Sequence, residues 1–147
     1  MRRAGPWAAA FALAGAALAQ TPGKRPATLQ VHLLVECSSP DAGKVKAGAQ
    51  CLDRTPFLTE KDIQTAEIQS NSQGHWTVFL TFRDEAARRE LQVTKANLGK
   101  RVAIMVNGKL VSTVSISAAS RLLFIDGNYT EAQARAVADG FNRALRQ

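Results

Sequence analysis

The chain has 147 residues, a formal net charge of +7 and 46% hydrophobic residues. This length suits one domain around one hydrophobic core. The basic residues are spread along the chain and form no tract with interleaved aromatic residues, so we expect no nucleic-acid partner. Weak attraction to anionic lipid or to acidic segments remains open.

Residues 1–19 have the pattern of a signal peptide for export. Arg2 and Arg3 precede an alanine-rich apolar stretch, and Ala17-Leu18-Ala19 matches the small-x-small site of signal peptidase. The alternative is a single membrane anchor, but the apolar stretch is short for a span. We therefore expect cleavage near Ala19 and a periplasmic or secreted protein with no membrane span after signal removal.

The segment 20–28 is predicted to be a linker. It contains two prolines, a glycine and two basic residues, with little apolar surface to bury. The sequence therefore predicts a single domain over residues 29–147.

Cys37 and Cys51 are the two cysteines of the chain. An even number of cysteines in an oxidising compartment favours a disulfide. The bridge would close a Gly-, Pro- and Ser-containing loop with little core, and a loop of about 15 residues gains roughly 3 kcal/mol. A redox pair or a metal site is the alternative. The chain has no CxxC motif, and His32 has no second ligand nearby in sequence, so we expect a structural disulfide.

The first predicted elements are strands and a short helical turn. Alternating apolar residues predict a strand with one apolar face over 29–35. Thr59 and Asp62 resemble a capping box at the start of a helical turn. Two strands, 66–69 and 76–82, are expected to form a hairpin around a turn at 71–74.

A helix is predicted from Asp84, as N-cap, to Leu98. Its expected apolar face comprises Ala87, Leu91, Thr94 and Leu98. Gly99 follows as the stop signal.

The remaining elements are a second hairpin, a short strand and a helix. Strands over 102–106 and 110–116 flank Asn107-Gly108, a strong hairpin signal. Residues 122–125 are expected to form a strand that ends in a turn at Asp126-Gly127. Thr130 and Gln133 form a second capping box. The helix that follows carries one apolar face: Ala134, Val137, Ala138, Phe141 and Leu145.

These elements predict an α+β fold, a mainly antiparallel sheet built from hairpins with two main helices packed on it. We expect Phe141 to face the core and to pack on the strand that carries Val102, Ile104 and Val106.

Residues 57–147 resemble the head subdomain in the first periplasmic domain of the protein-export membrane protein SecD. The resemblance rests on four ordered motifs: Leu58-Thr59 with Asp62-Ile63, Asn97 with Gly99-Lys100-Arg101, Asn107-Gly108-Lys109, and Gly127-Asn128-Tyr129-Thr130. The sequence departs from the family at Val114, where proline is frequent, and at Ala119-Ser120-Arg121, where a glycine pair is frequent.

The resemblance implies a function in protein transport. The translocase's membrane helices have no counterpart here, so we expect a free-standing relative of the head and not a proton-driven export motor. In the family, the head is thought to contact the emerging polypeptide. We therefore expect an exported, non-enzymatic binding or interaction domain that contacts a polypeptide or an envelope protein. The alternatives are an accessory component of the protein-export translocase and, more distantly, a small periplasmic hydrolase.

The sequence predicts no catalytic, cofactor-binding or metal-binding residues. His32 and His75 lack a paired acid at a useful spacing, and there is no GxSxG, phosphate loop or HExxH motif. Glu60 and Asp62 are explained more simply by helix capping than by catalysis. The candidate contact surface is a set of hairpin-tip and basic residues: Lys100, Arg101, Asn107, Gly108 and Lys109.

Overall fold

The computed structural model describes residues 25–146, so the expected signal peptide over 1–19 and its cleavage site lie outside the described residues. The described chain forms the strands β1 Leu29–Val35, β2 Ala42–Ala47, β3 Gln50–Asp53, β4 Leu58–Thr59, β5 Ile63–Ser70, β6 Trp76–Phe82, β7 Arg101–Val106, β8 Lys109–Ser115 and β9 Leu122–Tyr129. The helices are α1 Asp84–Ala96 and α2 Glu131–Leu145, with a short 3-10 helix at Glu60–Asp62.

The strands form two antiparallel sheets, which confirms the α+β class. The large sheet has the order β2-β3-β1-β7-β8, and β4 also pairs with β1. The small sheet has the order β5-β6-β9. The prediction of hairpins is confirmed, but these hairpins are divided between two sheets that share one hydrophobic core.

The disulfide joins Cys37 to Cys51, with their Cα atoms 4.9 Å apart. The prediction that the enclosed segment is a loop with little core is wrong. It folds as the β2–β3 hairpin, and β3 extends the large sheet by pairing with β1. Leu52 of this hairpin is buried in a small second cluster with Leu34, Ala47, Ala103 and Met105. Sequence reasoning missed the hairpin because only four residues form β3.

Strand β1 is covered on both faces, whereas the sequence predicted one apolar face. Leu29 and Val31 are buried in the main core, and Leu34 is buried in the second cluster. His32 is also buried, and its two ring nitrogens lie 2.7 Å from the Asp53 carbonyl oxygen and 3.1 Å from Gln30 Oε1. β1 is central in the large sheet, which explains why its second face is also covered.

The last residues of the predicted linker are docked on the domain. Ala27 is buried, and its amide donates a hydrogen bond to the Gly140 carbonyl at 2.9 Å. A Cβ on Gly140 would lie 2.9 Å from the Ala27 Cβ, so this close approach requires glycine. The end of the predicted linker therefore packs against α2 at Ala27.

Helix α1 is shorter and rotated relative to its prediction. Arg83 is the N-cap, without a side-chain cap hydrogen bond, and Asp84 lies in the first turn. The helix ends at Ala96, and Leu98 is exposed beyond it. The buried face consists of Ala86, Ala87, Glu90 and Thr94.

Strand β9 continues through Asp126 and Gly127, where the sequence predicted a turn. The pairing shifts between Trp76–Tyr129 and Val78–Ile125, so β9 carries an irregularity over this stretch and not a chain reversal. A Cβ on Gly127 would lie 2.7 Å from the Tyr129 ring. Tyr129 is half-buried against the core at the start of α2.

Helix α2 packs mainly on β5 and β6 of the small sheet. Phe141 is fully buried, which confirms that it faces the core, and Val137 and Leu145 pack beside it. The main packing of α2 is on β5 and β6, not on the predicted strand of Val102, Ile104 and Val106, although those residues belong to the same core cluster. The helix covers the small sheet because β5 and β6 supply an inner face with Ala66 and Leu80.

Local signals predicted from sequence are confirmed at three places. Thr59 and Asp62 form both hydrogen bonds of a capping box, as do Thr130 and Gln133. Asn107 and Gly108 have φ angles of 54° and 79°, which the tight β7–β8 turn requires.

Candidate functional site

An open cavity of about 400 Å³ lies where the chain passes from β8 of the large sheet to β9 of the small sheet. We call it the inter-sheet groove. It is lined by Val31, Phe57, Glu90, Thr94, Val102, residues 114–120 and residues 122–124. Its walls therefore come from both sheets and from α1.

The wall on the large sheet is an extension of the hydrophobic core. Leu33, Val102 and Val114 are register partners on neighbouring strands β1, β7 and β8, so they share one face of the sheet. Val102 is buried, whereas Val114 at the sheet edge is 40% exposed. The row of core-facing side chains therefore becomes exposed to solvent at Val114, beside the groove.

The wall on the small sheet is also apolar and exposed. Leu122 and Phe124 are 43% and 48% exposed. The Phe124 ring stacks on Phe79 of β6 with ring centroids 5.0 Å apart, which holds it in place. On β9 they alternate with the buried Leu123 and Ile125, so they lie on the sheet face opposite the core, and the groove reaches both faces at this edge.

Both strands at the groove are edge strands. Among the described residues, β8 pairs only with β7, and β9 pairs only with β6. An edge strand leaves one row of backbone N–H and C=O groups available to another chain. The groove therefore combines apolar side chains with backbone groups that can form hydrogen bonds.

The loop between β8 and β9 is fixed to α1 by a buried hydroxyl. Thr94 Oγ1 donates to the Glu90 carbonyl at 2.8 Å and accepts a hydrogen bond from the Ser120 amide at 3.0 Å. Ser120 Oγ in turn accepts from the Leu122 amide at 3.2 Å. These bonds hold the start of β9 at the groove.

Glu90 lies one helical turn before Thr94 and is the ionisable residue of the lining. Its side chain is 3% exposed, and its Oε1 atom has no hydrogen-bond partner among the described residues. Desolvation by burial raises the pKa of its carboxyl to about 8. At neutral pH the groove therefore contains a protonated carboxyl group.

Sequence reasoning missed Glu90, although the helical period contained a signal for it. The expected stripe used Leu91 and Leu98, while the observed stripe runs through Ala86, Glu90 and Thr94 at intervals of four. The small residues Ala86 and Ala87 allow α1 to approach the sheet, and this turns Glu90 inward.

The contact residues predicted from sequence are not brought together. Lys100 and Arg101 lie at the start of β7, whereas Asn107, Gly108 and Lys109 form the turn at its other end. A six-residue strand of about 3.3 Å per residue separates the two groups by roughly 20 Å. All five residues are exposed, so each group remains accessible.

Asn107 has a structural role at this turn. The Thr28 amide donates to Asn107 Oδ1 at 3.0 Å, and the Asn107 amide donates to the Thr28 carbonyl at 3.0 Å. The tip is thereby fastened to the segment that leads into β1. At the opposite end of β7, Arg101 donates to Thr113 Oγ1.

The acidic pair considered for catalysis is engaged in local structure. Glu60 Oε1 accepts from the Leu29 amide at 2.9 Å, and Asp62 Oδ2 accepts from the Thr59 amide at 2.9 Å. Asp62 also forms an ion pair with Arg89 at 3.3 Å. Within residues 25–146 no group of three or more His, Cys, Asp or Glu side chains is arranged to hold a metal ion. Over the same residues, no helix is both long and apolar enough to cross a membrane.

A family model described as the P1 head subdomain of SecDF matches residues 36–142. The chain belongs to this family. The SecDF head match begins before residue 57, where the resemblance seen in the sequence starts, and it includes the β2–β3 hairpin.

Curated relatives of this head domain are subunits of the protein translocase. The SecD subunit of Aquifex aeolicus is 34% identical over 88 residues, which are 59% of this chain and 18% of that protein. The SecDF subunit of Thermus thermophilus is 38% identical over 55 residues, or 37% of this chain and 8% of that protein. The chain thus spans less than a fifth of the length of either relative.

Solved structures share the fold of the SecDF head. One, described as "Structure and function of a membrane component SecDF that enhances protein export", has a TM-score of 0.67 at 22% identity, covering 90% of this chain and 69% of that chain. SecDF in a super-membrane-facing form has a TM-score of 0.67 at 21% identity, covering 89% of this chain and 21% of that chain.

Proposed function

We propose that this SecDF head domain is an exported, non-enzymatic binding domain whose inter-sheet groove holds an extended polypeptide segment. The observation that carries the proposal is the exposed apolar lining between two edge strands, at which the core-facing row of the large sheet reaches solvent.

An extended polypeptide suits the groove for two physical reasons. Its backbone can add to a strand edge by forming main-chain hydrogen bonds with β8 or β9. Alternate side chains of the added segment then point to one face, where Val114 beside β8, or Phe124 beside β9, offers apolar contact. A volume of about 400 Å³ also falls within the range of roughly 300–1,000 Å³ that is usual for ligand sites.

A second candidate function is an accessory role beside the protein-export translocase. It is favoured by the family match and by relatives that are translocase subunits. In this case the partner is a folded envelope protein of the export machinery, and the exposed residues at the two ends of β7 are the candidate contacts. Both functions require export, which agrees with the signal-peptide pattern of residues 1–19 and with a periplasmic or secreted mature protein.

Two valines provide a matched test of the groove. Val114 on β8 and Val45 on β2 are exposed residues of the two opposite edge strands of the large sheet. Val114→Asp places a charge in the groove, and Val45→Asp places the same charge on the other edge. The mature protein, labelled with ¹⁵N, is titrated with a reduced and alkylated, permanently unfolded polypeptide. We expect Val114→Asp to weaken binding at least tenfold and Val45→Asp to leave it unchanged.

The position of the shifted amide signals decides between the two functions. Shifts over residues 114–124 with the unfolded polypeptide support the groove. Shifts over residues 100–109, produced only by the soluble extracytoplasmic part of the export complex, favour the accessory role. Equal weakening by the two substitutions, or absence of binding to the unfolded polypeptide, overturns the groove proposal.

A further inference from the structure

We infer that Glu90 makes the inter-sheet groove selective for a polypeptide segment that places a lysine or arginine among apolar residues. The inference rests on the proposed function, since it concerns which segment the same groove accepts. It follows from the position of one carboxyl oxygen, Glu90 Oε1, which has no hydrogen-bond partner in the described part of the chain.

The buried polar side chains of the domain differ in how they are satisfied. His32 and Thr94 each form two or more hydrogen bonds within the described chain. Within residues 25–146, Glu90 Oε1 is as deeply buried and forms none; Ser112 Oγ and Arg143 Nη1 are unpaired as well, but neither residue lines the groove. Leaving a buried acceptor without a donor is unfavourable, so a native structure that contains one needs a reason. A ligand that supplies the donor gives that reason.

The rest of the lining offers no compensating charge. From β1, β7, β8, β9 and the loops, the groove receives only apolar side chains and serine hydroxyls, and α1 adds the Thr94 hydroxyl, so Glu90 is its one titratable group in the described chain. The basic neighbours on α1 point elsewhere: Arg88 and Lys95 are exposed, and Arg89 binds Asp62 and the Phe57 carbonyl. Burial alone accounts for the raised pKa of Glu90.

A cation in the groove would change the protonation of Glu90. The free groove is neutral below about pH 8, because the carboxyl retains its proton. An ammonium or guanidinium group beside it favours the carboxylate, so the carboxyl proton passes to solvent and a charge-assisted hydrogen bond forms. An acidic side chain would meet either a neutral acid or a like charge, and an apolar side chain would leave Oε1 unpaired.

The net positive charge of the protein does not oppose this selectivity. Charges on the exposed surface are screened over about 8 Å at physiological ionic strength. Glu90 acts within contact distance inside the groove, where water and salt screen less. A basic residue flanked by apolar ones therefore matches both the carboxyl and the apolar walls.

The test uses three peptides of identical apolar sequence whose central residue is lysine, norleucine or glutamate. Their affinities for the mature protein are measured by calorimetry between pH 6 and pH 8.5, in two buffers of different ionisation enthalpy. We expect the lysine peptide to bind about tenfold tighter than the norleucine peptide at pH 8, and the glutamate peptide to bind weakest. We also expect release of up to one proton with lysine and none with norleucine.

Two variants assign the effect to Glu90. Glu90→Gln keeps the shape of the side chain and removes its charge, and Glu85→Gln makes the same change at an exposed position of the same helix. We expect the lysine preference to fall below twofold in Glu90→Gln and to persist in Glu85→Gln. Proton release is measured on the wild-type protein, so the inference can still be tested if Glu90→Gln does not fold.

The outcomes separate this inference from the proposed function. If the norleucine and lysine peptides bind equally and release no proton, the selectivity is wrong and the groove proposal stands. If lysine is preferred equally in Glu90→Gln, another group recognises it and the inference fails. If none of the three peptides binds at any pH, the groove proposal itself fails.

Discussion

The two helices of this domain pack on one core but are built differently. Helix α2 begins with a complete capping box and buries only apolar or small residues, among them Phe141. Helix α1 begins without a side-chain cap and buries Glu90 and Thr94. The first arrangement is what stability alone would select. The second arrangement is less favourable for folding stability, because polar groups are buried where the groove is formed. Such a compromise is typical of functional sites.

The largest expected effect comes from the stabilising helix. Phe141 is fully buried, so Phe141→Ala should lower the free energy of unfolding by about 3–5 kcal/mol. Leu91→Ala is the control on α1 and should cost less, because Leu91 is only half-buried. Urea denaturation of the mature protein measures both. A loss below about 1 kcal/mol for Phe141→Ala would show that α2 is not the stabilising helix.

The second-largest expected effect is the pH dependence of folding stability that the buried Glu90 on α1 causes. Folding raises the pKa of Glu90 from 4.5 to about 8, so between these values the unfolded chain has lost a proton that the native protein keeps. The contribution of Glu90 to stability is therefore full at low pH and declines as pH rises towards 8. The slope is at most about 1.4 kcal/mol per pH unit, reduced where water enters the groove.

We expect the free energy of unfolding to fall by up to about 2 kcal/mol between pH 5.5 and pH 7.0 because of this group. Denaturation at the two pH values, compared between wild type and Glu90→Gln, isolates the contribution. The variant should be nearly insensitive to pH over this range. Equal pH dependence of the two proteins would mean that Glu90 is solvated in the native state.

The smallest effect compares the two helix starts. Thr130→Ala removes a side chain that accepts from the Gln133 amide at 3.2 Å and should cost about 1 kcal/mol. Asp84→Ala removes only a first-turn carboxylate and should cost about 0.3–0.5 kcal/mol through the helix dipole. Thermal unfolding at low ionic strength ranks the two. If Asp84→Ala lowered stability more than Thr130→Ala, the side-chain cap of α2 would not be the stronger of the two helix starts.

Features that depend on a few neighbouring residues could be predicted from the sequence. The capping boxes at Thr59 and Thr130 and the turn at Asn107-Gly108 each satisfy backbone groups within a few residues. The ordered motifs around them also indicated the SecD head. Sequence alone therefore predicted the class of fold and the order of most elements.

Features that depend on distant packing could not be predicted in the same way. Whether Glu90 or Leu98 faces inward is decided by how closely Ala86 and Ala87 let α1 approach the sheet. The continuation of β9 through Asp126 and Gly127 depends on its pairing with β6, which overrides a local turn signal. The division into two sheets, and hence the groove, arises from such distant contacts. For this reason the contact surface predicted from the sequence lies at the two ends of β7, and the groove was not predicted.

The contact between Ala27 and Gly140 bears on how such a domain can be joined to others. The segment leading into β1 and the helix α2 lie side by side, linked by a backbone hydrogen bond of 2.9 Å. A domain whose first and last elements lie close together can be inserted into another protein. The two ends of the inserted domain then join the host chain at neighbouring points, so the host fold need not be distorted.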